Sequence, residues 1–258
     1  MKTRRGGLRR LAALGIGFFL AAAWSFAAEP TPRPFTAGVM FDHLSRTVVW
    51  EGETEASRVA ANCVSLRAGY DLGRRVTLGL SAGLALSDFD ALAFLDLPIS
   101  LELGSSVLKG IALGAEVEAV LLDLGDFEME AAGRVVSSFG LARTWALEDF
   151  AVPGRAEGRT NWLEVSAGPR LAYHLSGGFV PYLEVAARWF RVDVRMKETL
   201  EDLQDAEKKR IKGDFSLSAS LGGDIRLSDR FTVRAKAGIV PRAGGAGVSA
   251  SLGLLFAF

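Results

Sequence analysis

Few residues in this chain are placed to carry chemistry. There are two histidines, His43 and His174, and one cysteine, Cys63, among 258 residues with 30 acidic and 30 basic side chains. His43 follows Asp42, and Ser45 lies two positions on. A relay of serine, histidine and carboxylate needs the carboxylate to touch the imidazole. Neighbours along an extended strand project to opposite faces, so Asp42 cannot orient His43. A partner from another strand would have to complete such a site, which leaves His43 as the only residue worth testing for hydrolase activity. No His/Cys cluster has metal-ligand spacing, and no glycine-rich phosphate loop or nucleic-acid pattern appears. No catalysis, cofactor, metal or nucleic acid is expected. Cys63 cannot form an internal disulfide and is expected to be a small buried residue.

The remaining charged residues are ordered by strands. Between Asp214 and Leu227, Phe215, Leu217, Ala219, Leu221 and Ile225 alternate with Ser216, Ser218, Ser220, Gly222 and Asp224. One face is apolar and the other small or polar, which suits a wall between lipid and a polar lumen. Carrying that parity along the chain turns Arg67, Glu116, Glu118, Glu128, Glu130, Arg134, Glu164, Arg170, Glu184, Arg188, Asp224, Arg226, Arg234 and Lys236 inward. Seven are acidic and seven basic. Buried charge is costly unless paired, so the expected arrangement is a salt-bridged filling of the interior. The alternative is a narrow path for ions or small solutes lined by charge rings.

A turn recurs at Leu72-Gly73, Leu124-Gly125, Leu175-Ser176-Gly177 and Leu227-Ser228, with the leucines 52, 51 and 52 residues apart. Gly, Ser and Asp suit tight hairpins. If all four turns lie on one side, each interval holds two spanning strands and an outer loop. Adding a first strand near Phe35–His43 and the last strand gives ten. Leu103-Gly104-Ser105 also fits the turn pattern. It belongs either to an outer hairpin or to a further lower turn that raises the count to twelve.

The last strand places Val248, Ala250, Leu252, Leu254, Phe256 and Phe258 on one face and Ser249, Ser251 and Gly253 on the other. Ending on an aromatic in this pattern resembles the C-terminal signature of bacterial outer-membrane β-barrel proteins. The resemblance implies an all-β, antiparallel up-and-down transmembrane barrel of about ten strands. It also makes Leu252, Leu254, Phe256 and Phe258 a signal read by the barrel assembly machinery. The other end agrees. Lys2, Arg4, Arg5, Arg9 and Arg10 precede an apolar run and the small residues around Ala27. This organisation reads as a secretory signal peptide over 1–27, a short periplasmic segment over 28–34 and the barrel over 35–258. Without the signal's five basic residues the mature chain carries a formal charge near −5, so it has no positive field on the scale of nucleic-acid binding.

Aromatics sort by height. Tyr70, Phe127, Tyr173, Phe179, Phe231 and Phe258 fall at the lower turns, and Phe41, Phe139, Trp162 and Trp189 about one membrane thickness above. His174 sits beside a lower turn. Outside, residues 44–57 hold Glu51, Glu53 and Glu55, and residues 146–160 hold Arg155 and Arg159. Residues 196–213 read as a short charged helix capped by Thr199, with Leu200, Leu203 and Ile211 apolar and Lys208, Lys209, Arg210 and Lys212 basic. The favoured reading is a solvated helix face with Glu and Asp offsetting the lysines; the alternative is a contact with outer-membrane lipid and its lipopolysaccharide phosphates. Among small barrels, omptin-type proteases use carboxylates with a histidine at the outer rim, and lipid A acyl-modifying enzymes use serine with histidine. His174, on the lower side, matches neither. The expected protein is a monomeric, non-enzymatic barrel with a filled lumen and a surface or envelope role carried by its loops.

Overall fold

The computed structural model describes residues 33–258 apart from 52–55, 74, 91, 99, 104–106, 148–153, 202 and 242–244. The proposed signal peptide therefore lies outside the described residues, as do Glu53 and Glu55. The strands are β1 (Phe35–Val49), β2 (Ala56–Leu72), β3 (Val76–Asp90), β4 (Leu92–Phe94), β5 (Leu101–Leu103), β6 (Leu108–Leu124) and β7 (Phe127–Gly140). They continue as β8 (Arg143–Leu147), β9 (Gly154–Tyr173), β10 (Phe179–Leu200), β11 (Leu203–Arg226), β12 (Phe231–Val240) and β13 (Gly247–Ala257). Ten of them, β1, β2, β3, β6, β7, β9, β10, β11, β12 and β13, pair antiparallel in a closed ring. β8 continues the line of β7 and pairs with the upper part of β9. Leu103 ends the small β4–β5 hairpin, so the twelve-strand alternative does not hold.

The ring closes where the first strand meets the last, in continuous register from Thr36↔Ala257 to Ser45↔Val248. Phe35 and Phe258 exchange backbone hydrogen bonds at its lower end, at 3.3 and 2.9 Å. The four periodic turns lie at that same end. Gly73 (φ 68°), Gly125 (81°), Gly177 (94°) and Gly178 (81°) supply left-handed backbone that other residues adopt only with strain. Side chains fix two of these turns further: Asp123 accepts a hydrogen bond from the Gly125 amide and Ser228 from the Phe231 amide. Short turns at one end and long connections at the other are the usual polarity of a bacterial barrel, which makes the upper end extracellular.

Residues 196–213 depart from the expected helix. β10 and β11 run as a ladder through Met196↔Glu207 to Leu200↔Leu203, and only the tip turns. The neighbouring strand edge explains this. β9 pairs β10 up to Gly154↔Leu200, so the ladder offers each backbone group a partner that an isolated charged helix lacks. β11 also carries one extra residue between the pairs Phe190↔Asp214 and Val192↔Ile211. That bulge switches its parity. Below it Phe215 and Leu217 face outward; above it Ile211 is buried inside.

The outward parity forms an apolar band, with Leu66, Leu80, Leu217 and Leu221 each about two-thirds exposed. In water such a surface would be a liability; around a closed barrel it is the lipid face. Aromatic pairs trim its lower edge: Phe35 with Tyr70 at 5.0 Å, Phe127 with Tyr173 at 4.6 Å and Phe231 with Phe256 at 5.0 Å between ring centroids. Phe41, Phe139 and Phe215 are exposed at the upper edge. Trp162 departs from the expected belt. It shares the parity of Glu164 and is buried inside, its Nε1 donating to Ser87 Oγ at 3.2 Å.

β9 and β10 approach closely around Gly168 and Pro169, where the β9–β10 register skips two residues. A Cβ at Gly168 would lie 2.7 Å from Ala186 Cα on β10. Gly168→Val is expected to abolish the compact, heat-modifiable species on gels, whereas Ala167→Val on the exposed lipid face leaves it intact.

Candidate functional site in the barrel lumen

Inward positions of the lower lumen carry an ion-pair network built from strands far apart in sequence. Arg170 on β9 is its hub, with Glu118 at 2.8 Å, Glu130 at 3.2 Å and Glu184 at 3.0 Å. Its guanidinium also lies 4.5 Å from the centre of the Tyr182 ring. Arg234 joins Glu118 (2.8 Å) to Asp224 (2.9 Å), and Lys236 reaches Glu184 at 3.2 Å. Arg67 pairs with Glu116 between β2 and β6. Higher up, Arg188 meets Glu164 at 3.4 Å. Arg134 forms a two-pronged pair with Asp42 on β1 at 2.9 and 2.6 Å, a geometry that adds both strength and directional fixity.

The network thus gathers twelve of the fourteen residues read as lumenal. Glu128 instead meets His174 Nε2 at 2.7 Å beside a lower turn, and Arg226 is exposed at the lower rim. Asp42 is the member the sequence reading left out. Its signal was the same parity that placed the others, since Met40, two residues before, is buried inside and Phe41 is exposed.

Above the charges the interior changes character. Val48, Trp50, Phe89, Leu92, Phe94, Leu108, Phe190, Val192, Val194 and Ile211 are all at most 1% exposed and form one cluster. Trp50 lies 6.0 Å from Phe89, and Trp162 6.4 Å from Phe190. The β4–β5 hairpin folds inward to supply Leu92 and Phe94, and the Asp96 amide donates to Glu207 on β11 at 2.9 Å. This apolar cork fills the upper lumen. Below and beside it the interior keeps two small cavities. One, of about 60 Å³, is lined in part by Asp42, Arg134, Glu164 and Arg188; the other, of about 50 Å³, by Glu116, Glu118, Arg170 and Arg234. Each is of a size for a few water molecules.

His43 borders the first of these cavities but belongs to the outward parity of β1. Its Nδ1 is 2.8 Å from Asn62 Oδ1, and the two residues are register partners on the outward parity of β1 and β2. Ser45 Oγ accepts a hydrogen bond from Arg58 Nε at 2.8 Å. Cys63 is buried at the edge of the cork with its thiol free.

Outside the spanning region, Asp193 on β10 pairs with Arg210 at 2.5 Å, Arg191 at 3.0 Å and Lys208 at 3.6 Å. Partial burial alone would raise its carboxyl. The bond from Arg210 and the surrounding positive charge outweigh that and hold it below the ordinary value of 3.8. A carboxylate with a depressed folded pKa stabilises the fold above its unfolded pKa, and that contribution disappears as pH falls through the folded one.

No protein-family model and no curated protein matches the sequence. Among solved structures, the chain is similar to the outer-membrane protease OmpT of Escherichia coli, with a TM-score of 0.52 and 10% identity over 88% of this chain and 98% of that one. Its fold is that of the bacterial outer-membrane β-barrels. The translocator domain of the autotransporter NalP from Neisseria meningitidis aligns over 96% of each chain at 14% identity, with a TM-score of 0.47. At such identities the likeness is one of fold alone. A closed barrel of this fold with an apolar outward band is an outer-membrane protein.

Two outcomes are expected from this arrangement. Arg170→Met leaves Glu130 without its cation and should destabilise the barrel by about 3 kcal/mol, read as a lower unfolding midpoint in urea with the protein in detergent. The extracellular tip of β10–β11 should resist protease at neutral pH and become more sensitive below about pH 4, as Asp193 gains its proton.

Proposed function

We propose that this protein is a sealed, monomeric, non-enzymatic barrel whose lumen is structural and whose role is carried by its extracellular surface. The observation that carries this reading is the apolar cork stacked above the ion-pair network. An aqueous path needs polar lining along its whole length or a hydrophobic constriction that wets. Here the upper lumen is filled by side chains drawn from β1, β2, β3, β6, β9, β10, β11 and an inward-folded hairpin.

The outer strands support the second half of the proposal. β10 has 22 residues and β11 has 24, whereas crossing the hydrocarbon takes roughly 9–11. The excess lifts a twisted sheet of β9, β10 and β11 by tens of ångströms, at about 3.3 Å per residue along the strand. A rigid, charged platform of that kind suits adhesion, surface interaction or support of the envelope. Against a hydrolase, the His43 contact is an amide, Asn62, rather than a carboxylate that would orient and activate it.

Purified protein in planar bilayers is expected to show no steady openings. Replacing residues 92–103 with a short glycine-serine linker removes the Leu92 and Phe94 part of the cork and should produce conductance steps that the unaltered protein lacks. Fixed-size openings in the unaltered protein would overturn the sealed-lumen reading, and loss of a surface activity on His43→Ala would favour the hydrolase.

A further inference from the structure

We infer that the outward face of β7, β9 and β10, just above the upper aromatic edge, is a binding site for the phosphorylated headgroup of an outer-leaflet lipid. The regular ladder breaks at this point, and the Gly140 amide donates to Asn161 Oδ1 at 2.9 Å instead of to the backbone of β9. β7 pairs with β9 only as far as Ser138↔Trp162, and β8 resumes the pairing at Arg143↔Gly158. The gap leaves a cleft of about 470 Å³. Phe139 and Leu163 form its apolar side, continuous with the lipid face; Arg191 lies level with Leu163 as its register partner, and Arg159 four residues further up β9.

Charge decides what fits. Register places Arg159 beside Arg195 and Lys208 in one row across three strands, with Arg191 and Arg210 next to them. The β11 bulge is what turns Lys208 and Arg210 to this side. Two carboxylates act on that group: Asp193, which pairs with three of the five cations, and Glu51, whose amide donates to the Arg210 carbonyl at 2.9 Å and whose charge acts on the Arg210 guanidinium. The next row up holds Glu157 opposite Lys197, which cancel. The patch, five cations less two carboxylates, therefore carries a surplus of three positive charges at the height where lipid phosphates lie, bordering an apolar slot able to take the start of an acyl chain. Guanidinium groups bind phosphate through paired, charge-assisted hydrogen bonds. A protein partner would meet the cations but would have to reach below the membrane surface to use Phe139 and Leu163.

The test is native mass spectrometry of the full barrel in a non-ionic detergent, with three probes: diphosphoryl lipid A, the same lipid stripped of phosphate, and inorganic phosphate. One retained diphosphoryl lipid A per barrel is expected. Its retention should fall about tenfold or more in the double variant Arg159→Gln, Arg191→Gln, which loses two charge-assisted bonds. Lys109→Gln, on the outward side of β6, should leave retention unchanged, and heat-modifiable mobility checks that each variant is folded. Equal retention of the phosphate-free lipid, unchanged retention in the double variant, or displacement of the lipid by millimolar inorganic phosphate would each overturn the assignment. Channel recordings on the same variants are expected to stay silent, so the lipid site and the sealed lumen fail or stand separately.

Discussion

Hydrocarbon offers a peptide group no hydrogen-bond partner, and every other feature of this protein answers to that constraint. A sheet can cross only if its two edges find each other. Here they do so in the ten register pairs between β1 and β13, with Phe35 and Phe258 joined at the lower rim. Closure turns period-two alternation into an inside and an outside. The outside is then free to be apolar, and the inside must be filled by whatever remains.

The filling is of two kinds, and the difference has a physical basis. In the lower half, arginines, glutamates, Asp224 and one lysine neutralise one another within a low-dielectric wall. Removing the hub, Arg170, leaves Glu130 without its cation. In the upper half the strands rise past the membrane, and loop residues such as Trp50 and the hairpin residue Phe94 can reach over the rim and drop in. There the ordinary hydrophobic effect suffices. Water on the far side drives those side chains inward, and the cork behaves as the core of a small soluble domain seated on the barrel.

Much of this is legible in the sequence. The leucine spacing located the four lower turns, and the parity of Glu118, Glu130, Arg170 and Arg234 placed them in one lumen. Three features were not. Trp162 was assigned by residue type and height to the upper belt, although its parity with Glu164 marks it as inward. The charged segment 196–213 has a helical pattern of apolar residues, and only the edge offered by β9 makes it strand. The extra residue in β11 leaves no mark in composition, yet it decides that Lys208 and Arg210 face outward and Ile211 the cork.

Alternation, turn chemistry and the aromatic ending are properties of neighbouring residues, so a linear chain displays them openly. They indicate a barrel, its polarity and most of the side chains that look inward. Pairing is a property of distance through space. Arg234 meets Glu118 across 116 residues, and Arg134 meets Asp42 across 92. Strand stagger and the β11 bulge set those meetings, as they set the closing of the upper lumen by a hairpin and the break in the β7–β9 ladder above Phe139. None of these exists until the ring has closed, because each depends on register between strands rather than on order along one.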